Sequence, residues 1–109
     1  WILDQGCFLG LDRYPGRLVS PHMRTVTLKK LMDMGYGERL CPSHDCICLH
    51  IHNEQADGTI AKQHDFHKSN PDQYLFMHRH VIPELQELGA TDRDIEMLFV
   101  DNPRRMFEA

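Results

Sequence analysis

Residues 7–13, Cys-Phe-Leu-Gly-Leu-Asp-Arg, form a short apolar run that turns charged only at its end. That pattern predicts a strand buried on both faces of a parallel sheet, where crossover helices cover each side. Pro15-Gly16 breaks the chain into a loop. Ser20-Pro21 predicts a helix start, with Ser20 as cap and proline at the first helical position. Val26, Leu28, Leu31 and Met32 follow at near-helical spacing, Lys29 and Lys30 suit the negative end of the helix dipole, and Gly35 ends the element. Residues 39–45, Arg-Leu-Cys-Pro-Ser-His-Asp, predict a second strand that also ends in polar residues. Pro42 is awkward there, because proline cannot donate to the ladder of a central strand.

Residues 46–69 lack clean periodicity, so a long loop is predicted, and loops of that length in compact domains usually serve function or are disordered. Helical spacing returns at residues 71–88, through Tyr74, Leu75, Val81, Ile82, Leu85 and Leu88, with Pro83 expected to kink or restart the helix. Gly89 stops it. Thr91 with Asp94 has the spacing of a capping box ahead of a buried stripe at Ile95, Leu98 and Phe99. Asn102-Pro103 repeats the cap-then-proline signal and opens a last helix with Met106 and Phe107 on its apolar side. The order is strand, helix, strand, long loop, helices: a βαβα pattern, which implies a parallel sheet with a right-handed crossover.

Composition narrows the class. The chain has 109 residues, 41% of them hydrophobic, which bounds it to one domain and excludes a disordered composition. A formal net charge of -4 disfavours nucleic acid and anionic membranes as partners, and no apolar run approaches a membrane span. Cys7, Cys41, Cys46 and Cys48 follow no disulfide framework, so reduced thiols in a cytoplasmic protein are expected. Residues 1–6, Trp-Ile-Leu-Asp-Gln-Gly, read as the last turn of a helix closed by a glycine, which predicts that the chain is a piece of something longer.

In parallel α/β folds the functional groups gather at the C-terminal ends of strands. That rule selects Asp12, Arg13 and Tyr14 after the first strand and Ser43, His44 and Asp45 after the second. Asp45 stands out. A carboxylate just past a buried strand can ligate a metal or take a proton from a metal-bound water; its bland alternative is an Asx-turn.

Gly10-Leu11-Asp12-Arg13-Tyr14, then Ser43-His44-Asp45, then Val81-Ile82-Pro83-Glu84-Leu85 and Asn102-Pro103-Arg104-Arg105-Met106-Phe107, resembles the closing part of the phosphotriesterase family of the amidohydrolase superfamily. The resemblance runs the length of the chain in the family's order. It implies the C-terminal βαβα part, strands seven and eight with their helices, of a TIM (β/α)8 barrel. Residues 1–109 would then be one segment of a single hydrolase domain, with residues 46–69 as the loop after strand eight. The implied activity is hydrolysis of lactone, phosphotriester or related ester bonds. The implied cofactor is a pair of divalent metals: zinc, or cobalt, manganese or iron. Asp45 matches the family's metal ligand and proton acceptor. Arg13, Tyr14 and Ile47 match positions at the substrate pocket. A homodimer is the implied assembly of the full-length protein. The family's remaining metal ligands, a His-x-His on strand one, a lysine on strand four and histidines on strands five and six, match nothing in this chain. One carboxylate cannot hold two cations, so the segment alone is expected to be inactive. Pro15 and Pro42 depart from the family, which has glycine and an aliphatic residue there.

Other readings stay open. His50-Ile51-His52 has the form of a metal-binding pair, and with Cys46, Cys48, His64 and His67 it allows a small Cys/His metal-binding module, although the spacings match no common zinc site. Solvent-facing histidines are the commoner outcome. His78 and His80, two apart on a predicted helix, cannot share a ligand face and are read as surface residues. A non-catalytic interaction protein is the third alternative.

Overall fold

The computed structural model describes residues 1–16, 18–46 and 70–108. Two strands, β1 (Leu9–Tyr14) and β2 (Leu40–His44), pair in parallel. Parallel strands need a crossover between them, and α1 (Pro21–Leu31) supplies it. Ser20 caps α1 as expected, its Oγ accepting from the Met23 N–H at 3.3 Å, with Pro21 in the first turn. Gly35, at φ 92°, ends the helical path, a conformation that any Cβ would strain. The residues before β1 form one tight turn, Leu3–Gln5, closed by Gly6 at φ 77°.

After residue 70 the chain is helical: a tight turn Gln73–Leu75, a wide turn Met77–Val81, α2 (Ile82–Glu87), α3 (Asp92–Glu96), a second wide turn Met97–Asp101, and α4 (Asn102–Phe107). Both wide turns lie just before a proline, Pro83 and Pro103. Each proline lacks an N–H and crowds the carbonyl four residues back, and a widened turn relieves both problems without breaking the helix. Thr91 and Asp94 form the reciprocal capping box. The Asp94 N–H donates to Thr91 Oγ1 at 3.2 Å, and the Thr91 N–H donates to Asp94 Oδ2 at 2.8 Å.

The core is Tyr14, Leu28, Leu40, Met77, Val81, Leu85, Ala90 and Leu98, lying between one face of the sheet and the helices. Two expectations for the last helix need correction. Asn102 is not its cap. It is fully buried, and its Nδ2 donates to the carbonyls of Gly37 at 2.7 Å and Leu40 at 2.8 Å. A buried amide near two carbonyls that can still accept gains more from pairing with them than from capping a helix that already runs on from Met97–Asp101. Met106 and Phe107 are 45% and 82% exposed, so the apolar side of α4 faces away from this core.

Candidate functional site

Each strand alternates its side chains between the two sheet faces. Leu9 and Leu11 pair with Leu40 and Pro42 on the face that packs on the helices. Gly10 and Cys41 pair on the other face, where Gly10 is exposed and Cys41 half-buried. Between the pairs Leu11↔Pro42 and Tyr14↔His44 the register shifts, so Asp12 and Arg13 stand opposite the single residue Ser43. This is a β-bulge, a device that re-aims side chains near a strand end.

The bulge explains the exposure pattern. Asp12, Arg13 and Ser43 are all exposed, while Tyr14 is returned to the helix side and is 1% exposed. The Tyr14 hydroxyl donates weakly to Thr25 Oγ1 at 3.5 Å, and burial pushes the phenol pKa above its ordinary value. Tyr14 therefore lies in the core beneath α1. That differs from the exposed strand-end position expected of it: one extra residue in β1 resets the alternation, which a regular strand reading does not anticipate.

Asp45 follows β2 directly. Its N–H donates to the Tyr14 carbonyl at 2.8 Å, extending the ladder one step and fixing Asp45 beside the end of β1. Asp12, Arg13 and Asp45 thus share the C-terminal edge of the sheet, the geometry the βαβ order predicts. The Asp45 side chain is exposed and makes no hydrogen bond or ion pair among the described residues. It does not act as a turn-forming Asx side chain here. Pro42 is accommodated simply. The Asp45 N–H points to β1, so by alternation the Pro42 nitrogen points away from it, where no bond to β1 is lost.

His44 falls on the other side of the chain from Asp45. Its ring meets that of Tyr74 edge-on, with centroids 5.0 Å apart and planes at 77°. Tyr74 also donates through its hydroxyl to the Cys46 carbonyl at 3.5 Å. Cys7, Cys41 and Cys46 are free, and burial raises the Cys41 thiol pKa. His78 and His80 are exposed, as expected. His80 engages Asp72 at 2.5 Å, and Arg79 reaches the same carboxylate at 2.6 Å. Together, the His80 contact first, they hold Asp72 below the usual carboxylate range. Ile47, His50, His52, His64 and His67 lie outside the described residues.

Among the described residues no three His, Cys, Asp or Glu side chains converge as a metal site requires. Asp45 fits one ligand position: it is a free carboxylate at a strand end. Two cations need more donors than this edge presents. Among the described residues no helix is long and apolar enough to cross a membrane.

The comparisons with known proteins agree with this architecture. The family model described as "Phosphotriesterase family" matches residues 1–107. A phosphotriesterase homology protein of Mycobacterium tuberculosis is 30% identical over 110 residues, covering 98% of this chain and 31% of that protein. An aryldialkylphosphatase of Saccharolobus solfataricus is 32% identical over 108 residues, covering 97% and 32%. Among solved structures, the phosphotriesterase from Mycobacterium tuberculosis superposes with a TM-score of 0.77 at 29% identity, covering 98% of this chain and 31% of that one. The chain spans about a third of the length of these relatives. With its parallel β1–β2 pair, its crossover helix and a match along nearly its whole length, the chain belongs to the phosphotriesterase family.

Proposed function

We propose that this chain supplies strands seven and eight, with their helices, to the (β/α)8 barrel of a divalent-metal-dependent hydrolase acting on lactone, phosphotriester or related ester bonds. The observation that carries the reading is Asp45. It is an exposed carboxylate, unpaired among the described residues and pinned through its N–H to Tyr14, at the sheet edge where Asp12 and Arg13 are also exposed. The family membership supports it. The more exposed sheet face, carrying Gly10, Asp12, Arg13, Cys41 and Ser43, is the side that would line a barrel interior.

In that setting Asp45 would give one carboxylate ligand to a divalent metal and would accept a proton at its carboxylate oxygen during ester hydrolysis. Bound metals of this class supply Lewis acidity and a water of lowered pKa. In this reading the remaining ligands come from barrel strands outside this segment; among the described residues no three His, Cys, Asp or Glu side chains converge. Zinc suits a mixed carboxylate and imidazole set, and cobalt, manganese or iron are compatible with it. Arg13, cationic and exposed at the bulge, orients the polar end of a small ester or lactone. Free thiols at Cys7, Cys41 and Cys46 suit a reducing, cytoplasmic setting, and a homodimer is the proposed assembly.

The test is a side-by-side assay of Asp45→Asn and His50→Ala in the full-length protein, with bound metal measured for both. Asp45→Asn keeps the shape but removes the charge and the proton acceptor. Metal content should fall and hydrolysis should drop by about 10²–10⁴-fold. His50→Ala should leave both near wild type. Near-normal turnover in Asp45→Asn, with loss in His50→Ala, would transfer the metal site to the Cys/His segment.

A further inference from the structure

Asp45 has no side-chain partner among the described residues, so its direction must be set by the backbone around it. Three contacts bear on that backbone. The Asp45 N–H is held by the Tyr14 carbonyl at 2.8 Å. The preceding residue, His44, has its ring against Tyr74 at 5.0 Å. The following residue, Cys46, has its carbonyl within 3.5 Å of the Tyr74 hydroxyl. One side chain therefore touches both sequence neighbours of Asp45. Tyr74 is itself held, because the turn Gln73–Leu75 is anchored by the Gln73 N–H, which donates to Asn70 Oδ1 at 3.1 Å and to the Asn70 carbonyl at 3.2 Å. Asn70 is 8% exposed, so this anchor is embedded in the fold.

We propose that Tyr74 is a positioning residue for Asp45: it clamps residues 44 and 46 and so sets the direction in which the Asp45 carboxylate leaves the strand end. The proposal rests on the reading of Asp45 as a metal ligand. An edge-on ring contact is directional, which makes it suited to fixing a torsion and not only to filling space. Tyr74 is 46% exposed, so removing it takes little from the core, and an effect on the site is separable from an effect on the fold. A ligand displaced by a fraction of an ångström binds its cation less well, and supporting residues around metal ligands are typically worth 10–100-fold in affinity.

The experiment uses the full-length protein and zinc as the probe metal, with affinity read by competition against a chelator. Tyr74→Ala should weaken zinc binding by about tenfold, while the melting temperature of the metal-free protein stays close to wild type. Tyr74→Phe keeps the ring against His44 and gives up the long hydroxyl contact to the Cys46 carbonyl, so it should bind zinc within about twofold of wild type. In the Asp45→Asn background, Tyr74→Ala should have no further effect, because the group it orients is gone. If Tyr74→Ala does not fold, His44→Ala removes the same ring contact from the strand side and carries the same comparison. Wild-type zinc affinity in Tyr74→Ala beside weakened binding in Asp45→Asn overturns the positioning role and leaves Asp45 as ligand. Effects of Tyr74→Ala that persist in the Asp45→Asn background also overturn it. Unchanged zinc affinity in Asp45→Asn overturns both.

Discussion

Replacing Asn102 by leucine should cost about 2–4 kcal/mol, although leucine fills nearly the same volume. The amide is 0% exposed, and its Nδ2 serves two carbonyls just ahead of and at the start of β2. The Gly37 carbonyl keeps a second donor, the Leu40 N–H, so it loses one of two bonds, worth about 0.5–1.5 kcal/mol. The Leu40 carbonyl points away from β1 by the alternation that turns the Asp45 N–H toward it. With leucine at position 102 this carbonyl is left buried without a donor, at about 1–3 kcal/mol. The lost Arg105 contact to Asn102 Oδ1, at 2.6 Å, adds little, because Arg105 is largely exposed. Asn102→Asp is the sharper probe. At neutral pH one carboxylate oxygen would face two carbonyl oxygens with nothing to donate, a buried repulsion that the exposed Arg105 at the other oxygen offsets only in part, so its pKa should be raised in the folded state. A raised folded pKa means the penalty is absent below the unfolded value near 4 and grows as the pH rises past it. Denaturant unfolding of the full-length protein at acid and neutral pH measures both effects. A loss below about 0.5 kcal/mol for Asn102→Leu, or no pH dependence for Asn102→Asp, would refute this account of the last helix.

Three further outcomes are expected. Thr91→Ala should destabilise by about 1 kcal/mol through loss of the helix cap, read as a lower unfolding midpoint. Asp94 is held below its ordinary pKa, first by the Thr91 backbone N–H and then by its hydroxyl, so its contribution is present above about 3.8 and lost as pH falls below that; the gap between wild type and Asp94→Asn should close in acid melts. Tyr14→Phe should leave turnover and stability nearly unchanged, since it removes only a 3.5 Å hydrogen bond, whereas Tyr14→Ala should cost about 3–5 kcal/mol; a large KM change in Tyr14→Phe would return Tyr14 to the substrate pocket.

What could be read from the sequence was whatever local chemistry decides. The strand–helix–strand order, the Ser20 and Thr91 caps, the Gly35 stop and the restart at Pro83 each depend on a few adjacent residues, and the structure has them. So does the shared edge of Arg13 and Asp45, because parallel pairing leaves no other arrangement once the order is known. What was not legible depended on the partner strand or on residues far along the chain. The bulge that exposes Arg13 and buries Tyr14 is defined only against β2. The role of Asn102 depends on Gly37 and Leu40, more than sixty positions away. An asparagine before a proline looks the same whether it caps a helix or crosses to a strand. The Tyr74 contact with His44 likewise joins residues separated by the whole segment 46–69. Tyr74 looked like one member of an apolar stripe, yet it is half exposed and serves the end of β2.

The segment's own stability follows from where its apolar surface lies. Eight buried hydrophobic residues form the core, and all of them lie on the helix side of two strands. On the opposite face are Gly10, Asp12, Arg13 and Ser43, all exposed, and Cys41, half-buried. A two-stranded sheet has two edges of unpaired backbone groups and is marginal without further strands. Large apolar groups add to the imbalance, with Trp1 88% exposed, Leu18 99% and Phe107 82%. Surface of that kind is normally covered by neighbouring structure. In a barrel the outward edge of β2 past Leu40, whose carbonyl Asn102 already holds, would meet another strand, and the face carrying Gly10 and Arg13 would meet the barrel interior. The 109-residue chain expressed alone should therefore bind hydrophobic dye and unfold without a cooperative transition, and it should not hydrolyse esters when metal is added. Calorimetry on the isolated chain, at several concentrations, decides this. A sharp, concentration-independent transition would mean that the helix-side core suffices by itself, and would remove the physical reason for placing these strands inside a larger barrel.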